Sequence, residues 1–487
     1  MYRIARVPMR PSLQAAHRVA AITRHMATPA QSSHSASASE EPPVLFEEKL
    51  SMRRYILNRP KKLNSLNSAM LDLLAPKLKQ WNDADLAGII VGTGEGKAFC
   101  AGGDVAAVVE SIENKKHDEA LSFFQHEFGL DYYLAKLDKP YVVVMDGYTM
   151  GGGYGLTAPA AFRIATEKTQ FAMPETKIGY FPDVGGSFYL SRLDGQIGTY
   201  LSLTGNIVSG RAAFELGLAT HFIHSSRVPQ LLEKLSALER PTFGQVASAI
   251  DDLYTEREPS DPPFPFAGGV RDALDDAFSQ GTVEDILVKL HHYADGKGKN
   301  SSADIVQWAQ DTIAMLEDRS PTSLKVALQA IRRAKKMDLQ HALAMELNIA
   351  KKFCSGTNPD FKTGVTAVMI TKLKGRPEWS PASLSDVSDA AVEEYFTQET
   401  APKLIMPRAE KDAKTRDTRK YALPSEDLIM KVVKGEHPSS PDTAITVEEL
   451  LDRFDELTNN KAGVREKVLD VVSRRCKMDG DKFLSWK

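Results

Sequence analysis

Short apolar runs that end in glycine alternate with amphipathic helical stretches over the first half of the chain. MRRYILN at 52–58 alternates in the manner of a strand, and AGIIVGT (87–93) and YVVVMDG (141–147) are β-branched, apolar runs of the length expected for buried strands. Between the first two, Asn67 is placed as an N-cap, and Met70, Leu71, Leu74, Leu78 and Trp81 fall on one helical face, with Pro76 predicting a kink. This is β-α-β alternation. A second αβ stretch runs through RIAT (163–166) and FAM (171–173) to ELGLATHFIH (215–224). Residues 229–375 then read mainly as helix. In SPTSLKVALQAIRRAKK (320–336), Pro321 stands at a first helical turn, and Leu324, Ala327, Leu328 and Ile331 share a face.

The texture changes near 399. KLIMPRAEKDAKTRDTRK (403–420) holds seven basic and three acidic residues and precedes helical patterns around 426–434, 447–458 and 463–476. Thr446 with Glu449 forms a capping-box signature for the middle one. The expected organisation is an α/β core over 45–228, a helical part over 229–398, a basic linker over 399–425 and a small helical appendage over 426–487. The linker reads either as a solvated tail or as an interaction module.

The first forty residues carry Arg3, Arg6, Arg10, Arg18 and Arg24, no lysine, and no acid before Glu40. Leu13, Ala16, Val19 and Ala20 fall at helical spacing among them. Residues 1–41 are therefore expected to be a mitochondrial transit peptide, with a disordered basic tail as the alternative.

Length, at 487 residues, predicts two or three domains, and a composition 42% hydrophobic and 26% charged is that of a globular protein. A net charge of -3 argues against wholesale DNA binding, and no apolar run reaches the ~18 residues of a membrane span. Cys100, Cys354 and Cys476 lie far apart without metal-ligand spacing, so neither a disulfide framework nor a metal site is expected.

Three glycine-rich stretches follow predicted strands: GTGEGKAFCAGGD (92–104), GYTMGGGYGL (147–156) and FPDVGG (181–186). None matches a P-loop or a dinucleotide fingerprint, so no nucleotide cofactor is indicated. Ser187 in GGSFY lacks the glycine that completes a nucleophile elbow. Bare backbone at such strand ends can instead aim N–H groups at a ligand carbonyl, an oxyanion hole worth ~3–4 kcal/mol per donor. Glu175 and Asp183 stand among apolar residues, prolines and glycines in FAMPETKIGYFPDVGG (171–186). Each reads either as a reaction-centre carboxylate or as an ordinary helix-start or turn acid.

In their order and spacing, RPKKLNSLN (59–67), KAFCAGGD (97–104), TMGGGYGL (149–156) and AMPETKIGYFPDVGG (172–186) resemble the enoyl-CoA hydratase/isomerase (crotonase) superfamily. The resemblance spans roughly residues 45–398. Within the superfamily it is strongest to the branch that hydrolyses 3-hydroxyisobutyryl-CoA in valine breakdown. It implies a repeated ββα superhelix core followed by a helical region, with an acyl-CoA as substrate, no separate cofactor, and the mitochondrial matrix as the compartment. By motif it implies that the N–H groups of Gly103 and Gly152 form the oxyanion hole. It further implies that Glu175 and Asp183 are catalytic, that Leu63 lines the CoA adenine side, and that Glu127 in FFQHEFG is a substrate-pocket acid. The alternative for Glu127 is an exposed helix position. Hydratases of this type carry a second glutamate where this chain has Gly155, which disfavours hydration and leaves thioester hydrolysis. Some proteins similar to this family are components of the mitochondrial ribosomal small subunit. The basic C-terminal extension is the feature that suits such a partner.

Overall fold

The computed structural model describes residues 41–259, 261–298, 302–397, 402–405, 415–441, 444–479 and 482–487. The expected transit peptide lies outside them apart from residue 41. Residues 43–487 form one compact unit.

The chain steps in turn between two sheets. The larger contains β1 (Val44–Lys49), β2 (Met52–Leu57), β3 (Ile89–Gly94), β5 (Tyr141–Met145), β7 (Phe162–Ala165) and β10 (His221–Phe222), in that spatial order. All neighbours are parallel except β1 with β2. The smaller contains β4 (Ala98–Cys100), β6 (Tyr148–Met150), β8 (Gln170–Ala172) and β9 (Val208–Ser209), of which the first three run parallel. Thus β3 leads to β4, β5 to β6 and β7 to β8, and each pair is followed by helical structure. This is the repeated ββα superhelix. Strand β5, YVVVM, is buried at every position, as a central parallel strand between two packed layers requires.

The site follows from this topology. Because β4, β6 and β8 lie side by side and point the same way, the chain leaves them at one edge. Residues 101–103, 151–152 and 173–175 are therefore neighbours although far apart in sequence.

Helix α1 (Ser68–Asp83) covers one face, with Asn67 accepting the Met70 N–H at 3.0 Å and the five expected apolar residues buried. Pro76 lies inside it without ending it. Helices α2 (Val105–Glu113) and α3 (His117–Leu134) follow β4, and α4 (Gly152–Thr157) follows β6. Below α4 the Tyr55 hydroxyl meets that of Tyr141 at 2.7 Å, and Tyr141 donates to the Leu156 carbonyl at 2.8 Å. This buried chain ties α4 to the large sheet with its polar atoms partnered. After β8 come α5 (Gly186–Leu190) and then a helical layer including α6 (Gly268–Phe278), α7 (Pro321–Ala334) and α8 (Leu339–Cys354). Ser320 caps α7, and its Leu324, Ala327, Leu328 and Ile331 are buried.

Part of the expected basic linker and the helical appendage pack on the core. Within the expected linker 399–425, residues 399–401 and 406–414 lie outside the described residues, whereas 415–425 pack on the core. The Arg416 N–H donates to the Ala135 carbonyl at 3.1 Å, and its guanidinium donates to those of Leu137 and Asp138 at 2.7 Å each. Its charge thus serves the carbonyl-rich C-terminal end of α3 rather than solvent. Tyr421 packs on Phe162 at 4.7 Å.

Three helices follow: α9 (Glu426–Val433), α10 (Val447–Thr458), with its Thr446–Glu449 capping box formed, and α11 (Val464–Arg475). A hairpin of β11 (Cys476–Asp479) and β12 (Phe483–Trp486) closes the chain, an element the helical reading omits. Its signal was the Asp479-Gly480 dipeptide.

Buried ion pairs join this region to the core. Asp194 accepts the Glu426 N–H at 3.0 Å and Lys467 Nζ at 2.8 Å. Arg271 of α6, 1% exposed, bridges Asp275 at 3.2 Å and Glu426 at 3.0 Å.

Candidate active site

A cavity of about 180 Å³ opens where the three parallel strands release the chain, with Gly103, Gly152, Glu127, Glu175 and Asp183 all in its wall. Residues 97–104, 149–156, 172–186 and α3 are thereby brought together. Gly103 follows β4, and its loop is held by Leu66, whose N–H donates to the Gly102 carbonyl and whose carbonyl accepts the Asp104 N–H. The Gly103 N–H itself has no partner among the described residues. Gly152 is the first residue of α4, where an N–H has no intrahelical acceptor. A Cβ on Gly152 would lie 3.2 Å from the Gly103 nitrogen and 2.3 Å from Glu127 Oε1. Two free donors and a carboxyl therefore meet around one glycine. Gly151 has φ +45°, a backbone that L side chains resist, and a Cβ there would stand 2.7 Å from Glu175 Oε1.

Glu175 opens the 3-10 turn Glu175–Ile178 after Pro174 and is 6% exposed, with Oε2 unpartnered. Burial pushes it up to about 8, and nearby Glu127 adds to the rise. Glu127 is 2% exposed with Oε1 unpartnered, so it is no surface helix residue; burial raises it well above the usual carboxyl range. Asp183, 5% exposed, is likewise raised by burial and then by its neighbours Glu127 and Glu175. Burial and mutual repulsion therefore disfavour ionising these acids together. Leu63, expected on the CoA adenine side, stands apart from the carboxyls. It is 37% exposed and outside the cavity wall, joined to it only through its carbonyl, which accepts the Ala101 N–H at 3.0 Å.

Two acids in or behind this site escaped the sequence reading. Asp131, one turn beyond Glu127 on α3, is 2% exposed with both carboxyl oxygens unpartnered. A Cβ on Gly155 would stand 2.6 Å from Asp131 Oδ2 and 2.8 Å from Val184 Cβ. The place where a side chain would leave Gly155 is filled. Glu346 of α8 accepts the Gly185 N–H at 2.7 Å and the Ser187 N–H at 3.0 Å, and Ser187 Oγ donates to it as well. It pins the turn after Asp183, where Val184 holds φ +54°, a strained conformation for a β-branched residue. The available signals were the i,i+4 spacing of Glu127 and Asp131 and the lone acid in ALAMELNIA (342–350). Tyr180 stacks on Phe124 and Phe361 and also faces the cavity. No group of residues suited to hold a metal ion occurs among the described residues.

The profile of the enoyl-CoA hydratase/isomerase family matches residues 52–396, most of the chain. The chain belongs to this family. Among curated relatives, the mitochondrial 3-hydroxyisobutyryl-CoA hydrolase of Rattus norvegicus is 39% identical over 361 residues, covering 74% of this chain and 89% of that protein. Small ribosomal subunit protein mS47 of Neurospora crassa is 38% identical over 460 residues, covering 91% of this chain and 88% of that protein. Among solved structures, a carnitinyl-CoA dehydratase from Mycobacterium thermoresistibile superposes with TM-score 0.65 at 32% identity, covering 75% of this chain and 99% of that one. These likenesses confirm the crotonase-like α/β core and the helical region after it. No helix among the described residues is long and apolar enough to cross a membrane.

The raised carboxyls have a consequence for this family member's stability. Glu175 and Glu127 keep their protons in the native state to higher pH than in the unfolded chain, where they ionise near 4.5. The native state thus binds more protons across the window from about 4.5 to about 8. Their contribution is fully present below that window and is lost as pH rises through it. The urea midpoint is expected to fall between pH 5 and pH 8.5, and less steeply in Glu127→Gln. An equal slope in the variant would contradict this account.

Proposed function

We propose that this protein hydrolyses the thioester of 3-hydroxyisobutyryl-CoA and related short 3-hydroxyacyl-CoA substrates in the mitochondrial matrix. The supporting observation is the pairing of Gly155 with Asp131. The helix position at which family hydratases carry a second glutamate is bare here, and the Asp131 carboxyl stands against it. Addition of water across a double bond needs two placed acids on the reacting carbons, whereas thioester cleavage needs one carboxylate beside an oxyanion hole. The vertebrate hydrolases at 38–40% identity support the same reading, and their names support the compartment.

In this mechanism the thioester oxygen accepts hydrogen bonds from Gly103 and Gly152, which take up the charge that develops there. Glu175 as carboxylate either attacks the carbonyl carbon or removes a proton from the attacking water. The C–S bond breaks and the sulfur takes up a proton to leave as free CoA; where Glu175 has attacked, water then hydrolyses the anhydride to release the acid and restore the carboxylate, and where water has attacked, the acid leaves directly. Asp183 and Glu127 hold water and the substrate hydroxyl. Because Glu175 must be ionised to act and sits near 8, kcat/KM is expected to rise with pH toward that value.

Thiol release from 3-hydroxyisobutyryl-CoA, beside crotonyl-CoA hydration followed at its enoyl absorbance, tests the assignment. Thiol release without hydration is expected. Hydration without thiol release would overturn it.

A second reading rests on the reach of the mS47 match. At 91% of the chain it must include part of the residues after 398, whereas the rat hydrolase match covers 74%. This supports a place in the mitochondrial ribosomal small subunit, with the hydrolase site retained. Full-length protein should cosediment with small subunits at low salt and dissociate as salt rises. Failure to cosediment at low salt removes this reading and leaves the enzymatic one standing.

A further inference from the structure

Six arginines of the described residues are buried: Arg53, Arg163, Arg211, Arg271, Arg319 and Arg474. Five of them have a carboxylate within 3.6 Å. Arg163, 3% exposed, has no ion pair among the described residues. Its Nε donates to the Leu218 carbonyl and its Nη1 to those of Ala160 and Thr418, each at 2.8 Å, while Nη2 donates to no group among the described residues. A buried charge held only by neutral carbonyls is costly unless something of opposite sign completes it.

The surroundings show what is lacking. A second cavity, of about 140 Å³, is lined by Arg163, Arg192, Arg419, Tyr154, Tyr189 and Thr418 among others, and shares no residue with the catalytic one. The Arg192 guanidinium donates to backbone carbonyls and Ser191, and Arg419 reaches a carboxylate, Asp194, only at 3.9 Å. Asp194 is already taken by Lys467 at 2.8 Å. Tyr189, 9% exposed, has a buried hydroxyl without a partner. Asp417 is the one acid in the wall. Burial brings the Arg163 guanidinium down to about 10, and the Arg419 charge adds to that, while Tyr154, Tyr189 and the Asp417 carboxylate offset it only in part. The volume is well above the ~10–15 Å³ that one water requires.

We propose that this cavity, at the seam between the core and residues 416–419, is a binding site for a terminal phosphate, either inorganic phosphate or a small phosphomonoester. Arginine forks match phosphate oxygens, and the Tyr189 hydroxyl supplies a third donor. A group with three free oxygens can meet Arg163, Arg419 and Tyr189 together, whereas a phosphodiester inside a nucleic-acid strand presents two and carries a sugar on each side. Occupancy would tie residues 416–419 to α5, which follows directly on the turn that carries Asp183.

Calorimetric titration of the full chain with inorganic phosphate, at ionic strength held constant with chloride, tests the site. Arg163 also holds the fold through three carbonyls, so the variants are Arg419→Gln and Tyr189→Phe. Saturable binding is expected, weakened roughly ten- to a hundredfold in Arg419→Gln, where a charged donor is lost, and about three- to tenfold in Tyr189→Phe. Thiol release by Arg419→Gln should stay within about twofold of wild type, because Arg419 is outside the catalytic cavity. Absence of binding beyond the chloride control, or equal binding by both variants and wild type, overturns the proposal. Saturable displacement of phosphate by an RNA oligonucleotide lacking terminal phosphates overturns its restriction to terminal phosphate.

Discussion

Glu175→Gln is expected to lower kcat for thiol release by about 10²–10⁴, the range for loss of a placed acid or base, and by more if Glu175 attacks the carbonyl directly. The substitution keeps the shape of the side chain. It also removes a buried titratable group held near 8, so the fold should be at least as stable at neutral pH. The defect should therefore appear in kcat with KM nearly unchanged, since the oxyanion donors and the cavity wall persist. Steady-state kinetics with a thiol reagent, beside urea unfolding of the same preparation, separates chemistry from folding. A variant with unaltered kcat would remove Glu175 from the mechanism and move attention to Asp183 and Glu127 in the same wall.

A chain ending at residue 398 is expected to fold poorly or not at all. Asp194, with a side chain 9% exposed, would lose both its backbone donor at Glu426 and its ion pair with Lys467. Arg271 would lose Glu426, and Arg163 would lose the Thr418 carbonyl. Stripping one partner from a buried pair costs about 3–5 kcal/mol. Two such losses reach the ~5–15 kcal/mol that holds a typical domain together. Soluble yield and urea unfolding of the truncated chain measure this, and Lys467→Met tests one pair alone, with an expected loss of about 3–5 kcal/mol. A truncated chain as stable as the full one would show that the C-terminal helices rest on the core without supporting it. Removal of residues 399–487 is consequently a poor test of ribosome attachment, because loss of fold and loss of a docking segment would look alike.

Most of the scaffold was legible because its signals are local. Strand β2 was visible through its alternation, β3 and β5 as apolar β-branched runs, α1 through its N-cap and apolar face, and α10 through its capping box. Each depends on residues within a few positions of one another. Glu175, Asp183, Gly103 and Gly152 were legible as a set through motif order and spacing, and the structure puts all four in one wall. Leu63, part of the same pattern but expected on the CoA adenine side, lies outside that wall, and its carbonyl holds the loop through the Ala101 N–H.

Glu127 shows where local reading stops. On sequence grounds it was as good an exposed helix residue as a buried acid, and only the packing of α3 across α4 places it 2% exposed against Gly152. Asp131 and Glu346 were missed for the same reason. So was the true state of residues 415–425, where Arg416 serves the carbonyls of 135, 137 and 138 and so behaves as a structural donor rather than a solvated charge. The amino-acid sequence by itself determined the elements, the family and the glycine and acid motifs, since periodicity, caps and spacing act over a few residues. Tertiary structure alone decided which carboxyls share the cavity, that Asp131 fills the space at Gly155, and that Arg163 is buried without a direct ion pair among the described residues. Desolvation and pairing depend on groups up to hundreds of residues away, and no local pattern encodes them.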